Sequence, residues 1–103
     1  TRNAALLNAV EAMEAHVAEP LTLSALARLA DVSPRHLNRL FHENLGRPAM
    51  RYYRDLRLEK AKSLLRNAPL SITEIALATG FASSAHFSRA FSQAFGLPPS
   101  ALR

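Results

Sequence analysis

Residues 72–98, ITEIALATGFASSAHFSRAFSQAFGLP, decide the fold, because residues 23–48, LSALARLADVSPRHLNRLFHENLGRP, repeat their grammar. Leu23, Leu26 and Ala27 match Ile72, Ile75 and Ala76 at an offset of 49. After a one-residue insertion near Ala82, Ser33, His36, Arg39, Phe41, Gly46 and Pro48 match Ser83, His86, Arg89, Phe91, Gly96 and Pro98 at an offset of 50. Each copy has a short helix with alanine at its fifth position, a turn residue at its ninth, an apolar residue, a serine placed as an N-cap, and a second helix with one apolar face. This is the pattern of a helix-turn-helix. Ala27 and Ala76 stand where two helices cross closely, so a larger side chain would push them apart. The ninth position must tolerate a left-handed backbone, which Gly80 does freely and Asp31 at modest cost. A plain helical hairpin could share the features of either copy, but two copies on a basic chain point towards nucleic acid.

Outward from the repeat, apolar residues recur at helical spacing throughout, and no stretch alternates as a strand would, so the fold class is all-α. A first helix carries Leu6, Val10, Met13 and Val17 and ends before Pro20 and Leu21. Thr22 caps a second, from about Leu23 to Ala30, with Leu23, Leu26, Ala27 and Ala30 inward. Ser33 and Pro34 open a third, running to about Asn44 and stopped by Gly46. Pro48 precedes a long fourth helix, Ala49 to about Arg66, a rod of roughly 27 Å at ~1.5 Å per residue. Ser71-Ile72-Thr73-Glu74 has capping-box spacing for a fifth, ending at Gly80; Ser83 caps a sixth that reaches Phe95 and stops at Gly96. Pro98 and Pro99 start a last fragment, making about seven helices. The expected organisation is residues 1–48 for the N-terminal helix and first helix-turn-helix subdomain, 49–67 for a linker helix and 68–103 for the second subdomain.

The 103 residues suffice for one domain, or two very small subdomains sharing a helix. Hydrophobic residues make up 49% and charged ones 20%, ordinary globular usage that argues against disorder and against a membrane protein. There is no cysteine, and no secretion signal is read at the N-terminus, so the cytoplasm is the expected compartment. The net charge of +5 is unevenly spread. Residues 1–27 carry Arg2 against Glu11, Glu14 and Glu19, whereas residues 28–66 carry ten basic groups against Asp31, Glu43, Asp55 and Glu59. Residues 67–103 add Arg89 and Arg103 against Glu74. The basic footprint, of the sign that suits phosphate backbones, therefore lies in the first half.

The third helix buries Leu37, Leu40, Phe41 and Leu45, which leaves Arg35, Asn38, Arg39 and His42 on its outer face. Arginine can bond both guanine acceptors at once, and asparagine can pair with the donor and acceptor of adenine. The sixth helix turns Phe87, Phe91 and Phe95 inward and leaves Ser84, Ala85, Ser88, Arg89 and Ser92 outward, with His86 near the boundary. Only Arg89 there offers strong bidentate reading. The short side chains suit close approach to the groove, or a half that relies on DNA shape.

Ile75-Ala76, Gly80-Phe81, Phe87-Ser88-Arg89-Ala90-Phe91, Phe95-Gly96, Pro99-Ser100 and Arg103, with Arg57-Leu58, Ala61 and Leu64-Leu65, resemble the AraC/XylS family of transcription regulators over essentially the whole chain. The resemblance implies sequence-specific binding of double-stranded promoter or operator DNA by the output domain of a regulator, an activator that contacts RNA polymerase. It also implies two recognition helices in successive major grooves, held apart by the long helix. By position, base reading falls on Arg35, Asn38 and Arg39, joined by His42, and on Ser84, Ala85, Ser88 and Arg89. Backbone contacts fall on Ser33, Arg47, Arg51, Arg54 and Ser83, with His86 and Ser92 as further candidates.

The chain departs from the family pattern at Ala49, where a proline is common, and at Leu102, where a tyrosine is common. That tyrosine's phosphate contact is therefore not expected. Members usually carry a separate domain that senses a small molecule or dimerises, and none is read in these residues. The N-terminal helix, followed by Glu19-Pro20-Leu21, resembles the subgroup with an amidase-like α/β sensor.

Other readings are weaker. The phenylalanines sit at core spacing rather than as a stacking platform. His16, His36, His42 and His86 lack paired ligand spacing, so neither a metal nor a cofactor is expected. No nucleophile motif, phosphate loop or carboxylate pair marks an enzyme. Tyr52 and Tyr53 are expected to divide, one packing under the long helix and one reaching a phosphate. Arg57 is open between a helix-to-helix ion pair and a DNA contact, and Lys60, Lys62 and Arg66 read as a solvated face. A helical module docking an acidic protein partner would explain the charge but not the duplication.

Overall fold

Helix boundaries follow local chemistry almost everywhere. The computed structural model describes residues 3–103; Arg2, which enters the charge of the first segment, lies outside the described residues. Six α-helices and a closing 3₁₀ turn follow in order, with no strand among the described residues. Helix α1 (Ala4–Ala15) is capped by Asn3, whose side chain accepts from the Leu6 N–H. Thr22 does the same for α2 (Leu23–Ala30), and Ser33 for α3 (Pro34–Leu45), with proline in the first turn of α3. After α4 (Ala49–Asn67), Ser71 and Glu74 form a reciprocal capping box at the start of α5 (Ile72–Ala78). Two bonds from Ser71, from its backbone N–H first and its hydroxyl second, hold the Glu74 carboxyl below the usual carboxylate range. Ser83 caps α6 (Ser84–Phe95), and the 3₁₀ turn spans Pro99–Leu102. Gly46 and Gly96 close α3 and α6 in the left-handed region, at φ 75° and 76°.

Two boundaries depart from the expectation by about half a turn: α5 ends at Ala78 rather than Gly80, and α1 ends early. α1 stops at Ala15, short of Val17, because His16 leaves the helix and its carbonyl accepts from the Tyr53 hydroxyl. That hydroxyl also accepts from the Leu21 N–H at 3.1 Å, so one buried tyrosine pins both ends of the connection between α1 and α2. The part played by Tyr53 has no local signal, since Tyr53 lies far along the chain, although the His16 ring also sits 2.9 Å from the Ala12 carbonyl through Nδ1.

The chain divides into two compact units, one holding the residues up to His16 together with Pro20–Arg54, the other Val17–Glu19 with Asp55–Arg103. In the first, α1 packs on α2 and α3. Its core is Leu6, Ala9 and Met13 of α1, Leu26, Ala27 and Ala30 of α2, Leu37, Leu40 and Phe41 of α3, and Ala49 and Tyr53 of α4. In the second, Leu58, Ala61 and Leu65 of α4 pack with Ile75, Ala76, Phe81, Phe87, Ala90 and Phe91, and Leu64, Leu70, Ile72, Phe95 and Leu102 close around them. Rings run in contact from Phe81 through Phe87 and Phe91 to Phe95, tilted at both ends and edge to face between Phe87 and Phe91. The phenylalanines are therefore core, at roughly 25 cal/mol per Å² of apolar area removed from water. Leu102, where the resemblance leads one to look for a tyrosine, is one of the residues that closes this core.

Candidate nucleic-acid interface

Each unit presents one helix held by the same turn. Asp31 occupies the left-handed region at φ 59° and Gly80 at φ 82°. The next N–H reaches back across the turn in both copies, Val32 to the Ala27 carbonyl at 3.0 Å and Phe81 to the Ala76 carbonyl at 2.9 Å. Ala27 and Ala76 are buried, as close helix crossing requires. Ser33 and Ser83 then cap α3 and α6 by accepting from the His36 and His86 N–H groups, each at 3.1 Å. Accepting leaves each hydroxyl proton free to donate outward, as a phosphate contact needs.

With Leu37, Leu40 and Phe41 buried, α3 exposes Arg35, Arg39 and His42 and leaves Asn38 half-buried. With Phe87, Ala90 and Phe91 buried, α6 exposes Ala85, His86 and Arg89 and leaves Ser84, Ser88 and Ser92 half-buried. The His86 ring meets Phe81 edge-on, with centroids 5.6 Å apart. Arg39 and Arg89 share register and exposure, so each unit carries one arginine in the same place on an outward helical face. The first unit gathers Ser33, Arg35, Asn38, Arg39, His42, Arg47, Arg51 and Arg54; the second gathers Ser83, Ser84, Ala85, His86, Ser88, Arg89 and Ser92. Of the arginines among these candidate contact residues, Arg35, Arg39, Arg47, Arg51 and Arg54 lie in the first unit and Arg89 alone in the second, where it is the only Lys or Arg on α6.

Several side chains have roles that the sequence left open or misjudged. Asn38 accepts through Oδ1 from the Ala49 N–H at 3.0 Å, so one lone pair of its carbonyl serves the start of α4. Of the two tyrosines, Tyr53 is the buried one; Tyr52 is half-buried, 5.4 Å from Phe41 between ring centroids, with the Arg47 guanidinium 5.3 Å above it. Arg57 donates through one guanidinium nitrogen to the carbonyls of Thr79 (3.1 Å) and Gly80 (3.0 Å) and lies 4.6 Å over the Phe81 ring. It therefore braces the turn of the second unit. Thr79, fully buried, donates its hydroxyl to the Ile75 carbonyl at 2.7 Å in the same turn. Lys62 is not simply solvated, since its ammonium sits 4.8 Å over Phe95. For Arg57 the sequence left a structural role open but offered an ion pair rather than these carbonyl partners, and the part played by Thr79 was missed because it carries no motif of its own.

A family model described as a helix-turn-helix domain matches residues 26–103. A solved transcriptional regulator from Chromobacterium violaceum, described as AraC-type DNA-binding domain-containing, shares 41% identity at a TM-score of 0.92, covering 96% of this chain and 88% of that one. The chain belongs to the AraC-type helix-turn-helix family. Among its relatives, the HTH-type transcriptional regulator GlxA of Rhizobium meliloti (strain 1021) is 52% identical over 103 residues, 100% of this chain and 32% of GlxA. The DNA-binding domain of AdpA, a global transcriptional factor solved in complex with a target DNA, shares 27% identity at a TM-score of 0.87, covering 93% of this chain and 86% of that one. This AraC-type chain spans about a third of the length of the curated relatives it matches.

Proposed function

We propose that this AraC-type chain is the sequence-specific, double-stranded DNA-binding end of a transcription regulator, with α3 and α6 entering successive major grooves. The observation that carries the reading is the duplicated turn with Arg39 and Arg89 exposed in the same register. A helix presenting arginine beside small or amide side chains can bond base edges, while cap serines and flanking arginines hold phosphates. Base reading is assigned to Arg35, Asn38, Arg39, His42, Ser84, Ala85, Ser88 and Arg89. Backbone contacts are assigned to Ser33, Arg47, Arg51, Arg54, Ser83, His86 and Ser92.

The chemistry is binding rather than catalysis, and the regulator acts as an activator by touching RNA polymerase once bound, in the cytoplasm where its DNA lies. Among the described residues no helix is long and apolar enough to cross a membrane. Sensing of an effector belongs to another part of the regulator. The test is selection of bound sequences from a random duplex library, followed by titration of the winner against scrambled DNA at near-physiological salt. Two enriched blocks about one helical turn, ~10 base pairs, apart are expected. A single block would leave α3 reading alone; no enrichment would sink the reading and favour an acidic protein partner.

A further inference from the structure

Asn38 stands on the outward side of α3, yet its Oδ1 is engaged by the Ala49 N–H at 3.0 Å. Ala49 is 0% exposed, so water does not replace that bond. Its N–H is one of the first in α4, which the helix itself leaves without a partner. A backbone N–H only donates, so the amide atom facing it is the carbonyl oxygen, and the NH2 end remains for any other contact. The second lone pair of Oδ1 stays in an amide plane set by the end of α4 rather than by a base edge.

The second unit provides an internal comparison. At the same offset of 50, Ser88 replaces Asn38 and Pro99 replaces Ala49. Pro99 is buried at the first position of its 3₁₀ turn, as Ala49 is buried at the first position of α4, but proline has no N–H to satisfy. The need for a side-chain acceptor therefore belongs to the first unit alone and arises from Ala49.

Resting on the DNA-binding reading above, we propose that Ala49 is a specificity-determining position. By fixing the amide plane through Oδ1, it keeps Asn38 from aligning acceptor and donor together on adenine and leaves the NH2 donor to meet the base edge. That donor serves any base edge offering an acceptor: a purine N7, guanine O6 or thymine O4.

The test is Ala49→Pro, which removes the N–H and leaves the position well suited to the first turn of a helix. Pro98, extended at φ −73° and ψ 157° ahead of Pro99, shows that two successive prolines fit this register. In duplex selection and titration, the unaltered chain should favour adenine over guanine by less than about threefold at every base pair in the α3 block. Ala49→Pro should raise that preference at one base pair by on the order of tenfold, and Asn38→Ala in the Ala49→Pro background should abolish the gain. An unchanged selected sequence in Ala49→Pro would overturn the proposal, as would strong adenine selectivity in the unaltered chain that Asn38→Ala removes.

A second measurement is independent of DNA and of the proline variant. Amide exchange at Ala49 should quicken at least about tenfold in Asn38→Ala and stay slow in Asn38→Asp, which keeps an acceptor. Unchanged exchange in Asn38→Ala would equally overturn the proposal. If the unaltered chain selects no sequence at all, the DNA-binding reading fails and the specificity proposal with it, whereas slow exchange at Ala49 would still establish the bond.

Discussion

Removing the Arg57 guanidinium should loosen the second unit from its turn outward. Arg57 gives two hydrogen bonds to the Thr79 and Gly80 carbonyls, at 3.1 Å and 3.0 Å, and covers the Phe81 ring at 4.6 Å. A hydrogen bond from a charged donor contributes about 1.5–3 kcal/mol when partly screened from water, and a cation over an aromatic face about 0.5–2 kcal/mol. The two bonds share one nitrogen and are not additive, so Arg57→Ala should cost on the order of 3 kcal/mol. For a chain of this size that is a fall in Tm of roughly 10–20 °C. Arg57→Lys keeps the charge but not the planar fork, and should lose about half as much.

The assay is thermal unfolding followed by circular dichroism, with amide exchange at Phe81 as the local readout. Phe81 N–H closes the turn on Ala76, so its protection should fall together with Tm. The competing role for Arg57, a phosphate contact, makes the opposite forecast: Tm nearly unchanged, DNA affinity reduced, and the salt slope lower by about one unit. A Tm within about 2 °C of the unaltered chain and undiminished Phe81 protection would refute the bracing argument.

Arg39→Ala and Arg89→Ala should each weaken binding to the selected DNA by about 1–3 kcal/mol while leaving the melting curve in place, and unchanged affinity in both would remove the base-reading assignment. Arg51→Ala should instead weaken binding to all duplexes similarly and flatten the dependence of log K on log salt by about one unit. Tyr53→Phe leaves the His16 carbonyl and the Leu21 N–H without their shared hydroxyl and should cost about 1–3 kcal/mol in denaturant unfolding, a cost that an equally stable variant would contradict. The Glu74 carboxyl is held below its ordinary value by the folded state, so its contribution is present above that value and is lost as pH falls through the lowered one. Stability measured from pH 6 down to pH 3 should therefore fall less steeply in Glu74→Gln than in the unaltered chain, and parallel curves would show that the capping box is not what the proton disrupts.

Most of the architecture was legible because its determinants are local. Thr22, Ser33, Ser71 and Ser83 announce helix starts within three residues of the N–H groups they satisfy. The glycines at 46, 80 and 96 mark left-handed turns, and the spacing of Leu37, Leu40 and Phe41, like that of Phe87 and Phe91, separates a buried face from an outward one. The outward arginines Arg35, Arg39 and Arg89 follow from that spacing alone, and the family resemblance agrees with the helix-turn-helix match over residues 26–103. The end of α1 was misjudged because apolar periodicity continued to Val17 while a distant hydroxyl took the carbonyl of His16.

By itself, then, the sequence determined six helices with a closing fragment, a repeated turn and the set of side chains left facing outward, since caps, glycine backbones and helical periods act over one turn or less. The tertiary structure decided which of the polar side chains are spoken for. Asn38 meets Ala49 across 11 residues, Arg57 meets Thr79 and Gly80 across 22 and 23, and Tyr53 meets His16 across 37. A polar side chain brought to a buried backbone group by packing must satisfy it, because an unpaired N–H or carbonyl away from water costs more than most contacts return. Residue type and local spacing give that demand no signature. It arises only when the core closes.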